Sequence, residues 1–180
     1  MQEKSRKLLL RGLLLILVFA VTLLLILNRD KVQAFGHYGY PGIFLVSVLS
    51  NATLIFPIPG VVFTSAMGAV FNPFWVAVAA GSGAAIGELT GYLAGFSGQI
   101  ILDRREFYDR MVSLMRKYGD VVVLVLAFIP NPVFDLAGMA AGMLKLPVGR
   151  FLLWCAIGKI LKMLVFSYTG ASILKLFELP

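Results

Sequence analysis

The sequence is poor in the residues on which most soluble chemistry depends. A single cysteine, Cys155, leaves no intramolecular disulfide and no Cys-x-x-Cys metal or redox pair. A single histidine, His37, leaves little room for acid/base catalysis; it reads as a plain interfacial residue, with a pH-sensing role as the alternative. Charged residues are only 14% of the 180 residues, against 59% in the hydrophobic class, and the mean hydropathy is +0.90. A soluble core of this length cannot bury so large an apolar fraction, so the natural solvent is lipid. No GxSxG, HExxH, P-loop or GxGxxG string occurs, which argues against an enzyme, an ATP-driven pump and any cofactor or metal site.

The net charge of +7 comes from basic residues clustered in short groups between apolar runs. Such groups read as cytoplasmic anchors, and nucleic acid is not an expected partner.

Residues 8–27 form an apolar run of 20 residues, which at about 1.5 Å per residue spans one bilayer core. Lys4, Arg6, Lys7 and Arg11 precede or enter it, and Asn28, Arg29, Asp30 and Lys31 follow. It is predicted to be a retained transmembrane helix with its N-terminus inside. Two further stretches, residues 43–71 and 121–146, are interrupted by prolines: Pro57 and Pro59 in one, Pro130 and Pro132 in the other. Proline removes a backbone donor and disfavours helix in the residue before it, so each stretch is either one kinked span or a hairpin that enters and leaves on one side. With both re-entrant, Lys4, Arg6, Lys7, Arg11, Arg104, Arg105, Arg110, Arg116, Lys117, Lys145 and Arg150 lie inside, and Arg29, Lys31 and Lys175 lie outside. The positive-inside rule selects that arrangement. Residues 74–98 and 151–172 supply two complete spans. Between them Phe107, Met111, Leu114, Met115 and Tyr118 recur at helical spacing, as in an interfacial amphipathic helix; a simple basic loop is the alternative.

Pro57, Pro59, Gly68, Pro73 and Gly83 recur as Pro130, Pro132, Gly142, Pro147 and Gly158, 73 to 75 residues later. Either the matches are coincidental, or the fold is all-α with inverted repeats, each a re-entrant helical hairpin plus a transmembrane helix, behind an N-terminal transmembrane helix. The expected organisation is residues 1–40 for that helix and outer loop, and 41–180 for the domain. The latter divides into repeat 1 (41–98), a cytoplasmic amphipathic segment (99–118) and repeat 2 (119–180). Opposed hairpins are one way to build a substrate path at membrane mid-depth.

Glu88, Asp135, Lys159 and Lys162 are ionisable residues inside apolar spans, where each charge costs about 3 kcal/mol on insertion scales and is normally paired or functional. Lys162 occupies the place in repeat 2 that Glu88 holds in repeat 1, so these two are expected to compensate each other. One reading has the acids simply neutralising the lysines to lock the bundle; the other has the cluster lining a path for a lipid headgroup or a proton. Asn131, between two prolines, could cap a short helix or bind a polar ligand. Gly83, Gly87, Gly91 and Gly95 mark a face suited to close helix packing, with a direct substrate role as the alternative.

The strings IPNPVFDLAGMAAG (129–142), LPVGRF (146–151) and IGKILK (157–162) resemble the VTT-domain or SNARE-associated family, the DedA superfamily, and within it the vacuole membrane protein branch. FPIPG (56–60), MGAVFNP (67–73) and GELTGYLAG (87–95) resemble the first repeat of that family. The resemblance covers about residues 43–172 and implies ATP-independent lipid transport of the scramblase kind; a 180-residue chain with no appended domain and no targeting signal is expected in a prokaryotic plasma membrane. It places Asn131, Asp135 and Lys159 in the family motif and Glu88 in the first-repeat helix. A proton- or ion-coupled transporter of a lipid-linked carrier such as undecaprenyl phosphate is the runner-up, and a non-transporting membrane scaffold the third class. Membrane lipids, protons or ions, and further copies of the chain are the expected partners. The arginines that typically flank the second hairpin's proline are replaced by Ala127 and Val133, and Ser50 and Asn51 stand near the place of an acid often found in the first hairpin.

Overall fold

A computed structural model describes residues 36–52, 60–97, 105–130 and 134–177 of the chain. Among the described residues there are seven helices and no strand: α1 (Gly36–Ala52), α2 (Gly60–Val70), α3 (Pro73–Gly87), α4 (Leu89–Phe96), α5 (Arg105–Phe128), α6 (Phe134–Met143) and α7 (Val148–Phe177). The predicted N-terminal helix over residues 8–27 lies outside the described residues, as do Pro57, Pro59, Asn131 and Pro132.

Local chemistry sets the boundaries of these helices. Pro73 opens α3, where its missing N–H costs nothing, and the Asn72 side chain accepts from the backbone N–H groups of Phe74 and Trp75 at 3.0 and 3.4 Å. α3 and α4 are separated by Glu88 alone, across which the ladder continues through Glu88 N–H to Ala84 O and Tyr92 N–H to Glu88 O, both 3.1 Å. Pro73–Phe96 is therefore a 24-residue apolar span, roughly 36 Å long. The second stretch long and apolar enough to cross a bilayer is Val148–Ile173 in α7. α5 bends at Tyr118, whose backbone (φ −136°, ψ 34°) leaves the helical region, so the segment read as amphipathic is a helix that ends where residues 119–128 turn inward. Its apolar face is divided: Met115 is in the core, Leu114 and Tyr118 are about half exposed, and the side chains of Phe107 and Met111 lie outside the described set.

α6 ends in a tight reversal. Lys145 N–H donates to Gly142 O and Leu146 N–H to Ala141 O, and Lys145 takes a positive φ of 53°. That is a Schellman-type stop, followed at once by Pro147. The Tyr92 hydroxyl donates to Leu146 O at 2.5 Å and ties the reversal to α4.

α1 packs on α3, α3 and α2 on α7, α4 on α6, and α5 on both α6 and α7. These crossings are close because small residues meet backbone. A Cβ added at Gly83 or Gly87 would run into α1 at Phe44 O or Val48 O, and one at Gly158 would run into α5 at Leu124 O. Gly68 and Gly170 abut the backbone of Ser167 and Ser65 across α2 and α7; Gly142 and Gly95 abut that of Tyr92 and Met139 across α6 and α4. Of the glycine series, Gly83, Gly87 and Gly95 lie at such close approaches. At Gly91 the nearest atom, Asp135 O, is at an ordinary 3.6 Å, so that position is not tightly packed.

Two apolar clusters result. One gathers Ile43, Met67, Val76, Ala77, Ala80, Ala84 and Met163; the other gathers Ala85, Tyr92, Met115, Val123, Phe134, Phe151 and Cys155. Along α7, Cys155 belongs to one cluster and Met163 to the other. Lys159 and Lys162 occupy the seam.

Candidate charged site at mid-depth

α3 and α7 cross at Gly81 and Ile160, and they run antiparallel: Ala77 clusters with Met163, Ala85 with Cys155. Side chains on a helix lean toward its N-terminus, so the Lys159 stem is carried toward the level of Cys155, where Glu88 stands. There the Lys159 ammonium donates to Glu88 Oε1 in a salt bridge whose two side chains are each 5% exposed. Lys159 Nζ also donates to Asn51 Oδ1 at 3.1 Å and lies 4.7 Å from the centre of the Phe134 ring. Asn51 Nδ2 in turn donates to Ser47 O at 2.9 Å, which fixes the amide end facing the lysine. Four elements converge on one amine: the end of α1, the α3/α4 junction, the start of α6 and the middle of α7.

The expected Glu88–Lys162 pair is not formed. Lys162 lies about one turn further along α7 than Lys159, so the same lean leaves its ammonium short of the level at which Glu88 stands. It is 8% exposed and makes no hydrogen bond and no ion pair within 4 Å with another described residue. Asp135 is half-buried in the first turn of α6, where the helix dipole favours an acid, and it too forms no such ion pair. The structure therefore brings Glu88, Asp135, Lys159 and Lys162 to one region but closes only one pair. Pro130 sits exposed in irregular backbone just after α5, beside this region in the chain.

Asn51 and Phe134 complete the Lys159 site; the sequence marks Asn51 only as standing near the place of a family acid, and Phe134 not at all. Asn51 carries a legible signal: it is an amide one turn beyond Ser47 at the end of an apolar arm. Phe134 carries none, since an aromatic ring next to Asp135 reads as ordinary core.

The buried pair, the polar seam and the two long apolar helices are the features of a membrane domain, and the family comparison agrees. The model of the VTT domain matches residues 58–172. The chain belongs to the VTT-domain family. An uncharacterized membrane protein of Buchnera aphidicola subsp. Schizaphis graminum is 29% identical over 141 residues, which are 70% of this chain and 55% of that relative. The chain thus spans about half the length of the curated relative it matches. No solved structure matches. This VTT-domain protein is a membrane protein with helices and no strand among its described residues. The matched region holds Glu88, Asp135, Lys159 and Lys162, whereas Asn51 reaches the site from α1, ahead of it.

Proposed function

We propose that this VTT domain, taken as residues 41–180, lets lipids cross between leaflets without ATP, in the manner of a scramblase. The observation that carries the reading is the charged seam: a closed ion pair beside two unclosed charges, at mid-length of a spanning helix and where α1 ends and α6 begins. Helix ends leave backbone donors and acceptors without intrahelical partners, and such backbone persists at membrane depth only against protein or a wet cavity. Together they form a polar strip along which a headgroup passes while its tails remain in lipid.

Matching crossings in the two halves support an architecture of two inverted repeats. Gly83 of α3 against α1 and Gly158 of α7 against α5 make the same kind of crossing 75 positions apart; so do Gly68 with Ser167 and Gly142 with Tyr92, and Gly95 with Met139 and Gly170 with Ser65. α2 and α6 each cross the long helix of the other half, whereas α1 and the end of α5 pack on the long helix of their own, as opposed re-entrant hairpins would. The orientation follows from charge: the Arg150–Asp120 ion pair, 2.5 Å, draws the basic α5 segment to the start of α7. We place that end, and the N-terminus, in the cytoplasm of a prokaryotic cell.

Proteoliposomes carrying an acyl-labelled fluorescent phospholipid test the reading. Dithionite should bleach the inner-leaflet label as well as the outer, with no gradient applied. Asp135→Asn should fold yet slow this exchange, and adding Lys159→Met should not restore it. Uptake that requires a proton gradient would instead identify a coupled carrier, and no movement of lipid under either condition a scaffold.

A further inference from the structure

We infer that Lys162 is the docking point for the phosphate of a lipid headgroup; the inference rests on the transport reading above. Lys162 stands about 21 Å from either end of the 30-residue α7, at the middle of the span. It is 8% exposed, and among the described residues no acid lies within 4 Å of its ammonium. Its neighbour Lys159 is already engaged by Glu88, Asn51 and the Phe134 ring, so that amine and its carboxylate neutralise each other and leave nothing for a ligand. The remaining acid, Asp135, is half-buried at the start of α6.

An amine without a bonded anion is costly in an apolar layer, and the cost falls when an anion arrives; the ammonium is not sealed off, since among the described residues no side-chain nitrogen is both fully buried and without a partner. The route is lateral. Leu161 and Val165, which flank Lys162 on α7, are 44% and 54% exposed on the outer surface of the bundle, where the acyl chains of the surrounding lipid run. A phosphate that reaches Lys162 past these residues keeps its tails in the hydrocarbon, and lysine meets phosphate as a point charge without demanding a fixed fork geometry. Asp135 then repels the same phosphate, which keeps the complex from becoming a trap.

The full chain in maltoside detergent is titrated with dioctanoyl phosphatidylglycerol, with dioctanoylglycerol, which has the same tails and no phosphate, and with inorganic phosphate. The phosphate-bearing lipid should bind at least about tenfold tighter than dioctanoylglycerol, the value of one charge-assisted hydrogen bond. Lys162→Met should abolish that preference, Lys162→Arg should keep it, and Asp135→Asn should keep or increase it. Equal binding of the two lipids to the wild-type chain, or an undiminished preference in Lys162→Met, overturns the assignment. Inorganic phosphate bound through Lys162 with no competition from the lipid assigns the amine to a free anion and overturns the headgroup. If Lys162→Met does not fold, the charge-neutral Lys162→Met/Asp135→Asn variant takes its place, with the same expected loss. The vesicle assay separates the two readings. No lipid exchange by a wild-type chain that retains the preference overturns transport alone; exchange at full rate in Lys162→Met overturns the docking point alone.

Discussion

Glu88 and Lys159 neutralise each other where neither can reach water, and removing one charge strands the other. Glu88→Gln or Lys159→Met alone should therefore lower stability by about 3–5 kcal/mol, whereas the double variant should cost clearly less than the sum. Thermal unfolding of the four proteins in one detergent measures the coupling. The same cycle run on Glu88 and Lys162 should show effects that nearly add, because Lys162 stands a turn away from the carboxylate. Coupling of the second pair as strong as the first would move the ion pair to Lys162. The exposed Asp120–Arg150 bridge is a contrast: with side chains 27% and 62% exposed, it should contribute no more than about 1 kcal/mol.

The elements are held at their crossings and their ends. Gly95 faces Met139 O so closely that Gly95→Ala must push α4 and α6 apart, and loss of stability is expected. Gly42 and Gly149 have nothing within 4 Å, so alanine there should be neutral or should stabilise by up to about 1 kcal/mol through helix propensity. Lys145 holds a left-handed conformation that suits glycine, and Lys145→Gly should stabilise the α6–α7 reversal by about 1 kcal/mol. Melting temperatures of these variants check all three statements. The ends of the helices are legible in Asn72, Pro73 and Pro147, because caps and prolines act over a few residues. The bend at Tyr118 is less so: its apolar spacing continues a helical pattern, and only the packing of residues 119–128 against α6 and α7 turns the chain there.

At the scale of the whole molecule, the proposed topology puts the basic α5 segment and the start of α7 on one side of the membrane and the end of α7 on the other. In a Cys155→Ala background, cysteines at Ser113 and Gly149 should react with an impermeant maleimide from the same side, and one at Leu176 from the opposite side. Ser113 and Gly149 are exposed, and Leu176 is 74% exposed, so accessibility does not limit the reaction. Labelling of Ser113 and Leu176 from one side would remove the re-entrant arrangement.

Composition and hydropathy alone point to a helical membrane protein and mark both of the long apolar spans found among the described residues, because lipid requires every backbone group to be bonded within its own segment. They also pick out Glu88, Asp135, Lys159 and Lys162, because charge in an apolar run is costly wherever the run folds. Which lysine meets Glu88 is a different kind of question. It depends on the antiparallel crossing of α3 and α7 at Gly81 and Ile160 and on the lean of a side chain toward its helix N-terminus, and neither is a property of residues near one another in the chain. The repeat spacing points to Lys162; the packing brings Lys159 to the carboxylate, adds Asn51 from α1, and leaves Lys162 without an ion pair to a described acid.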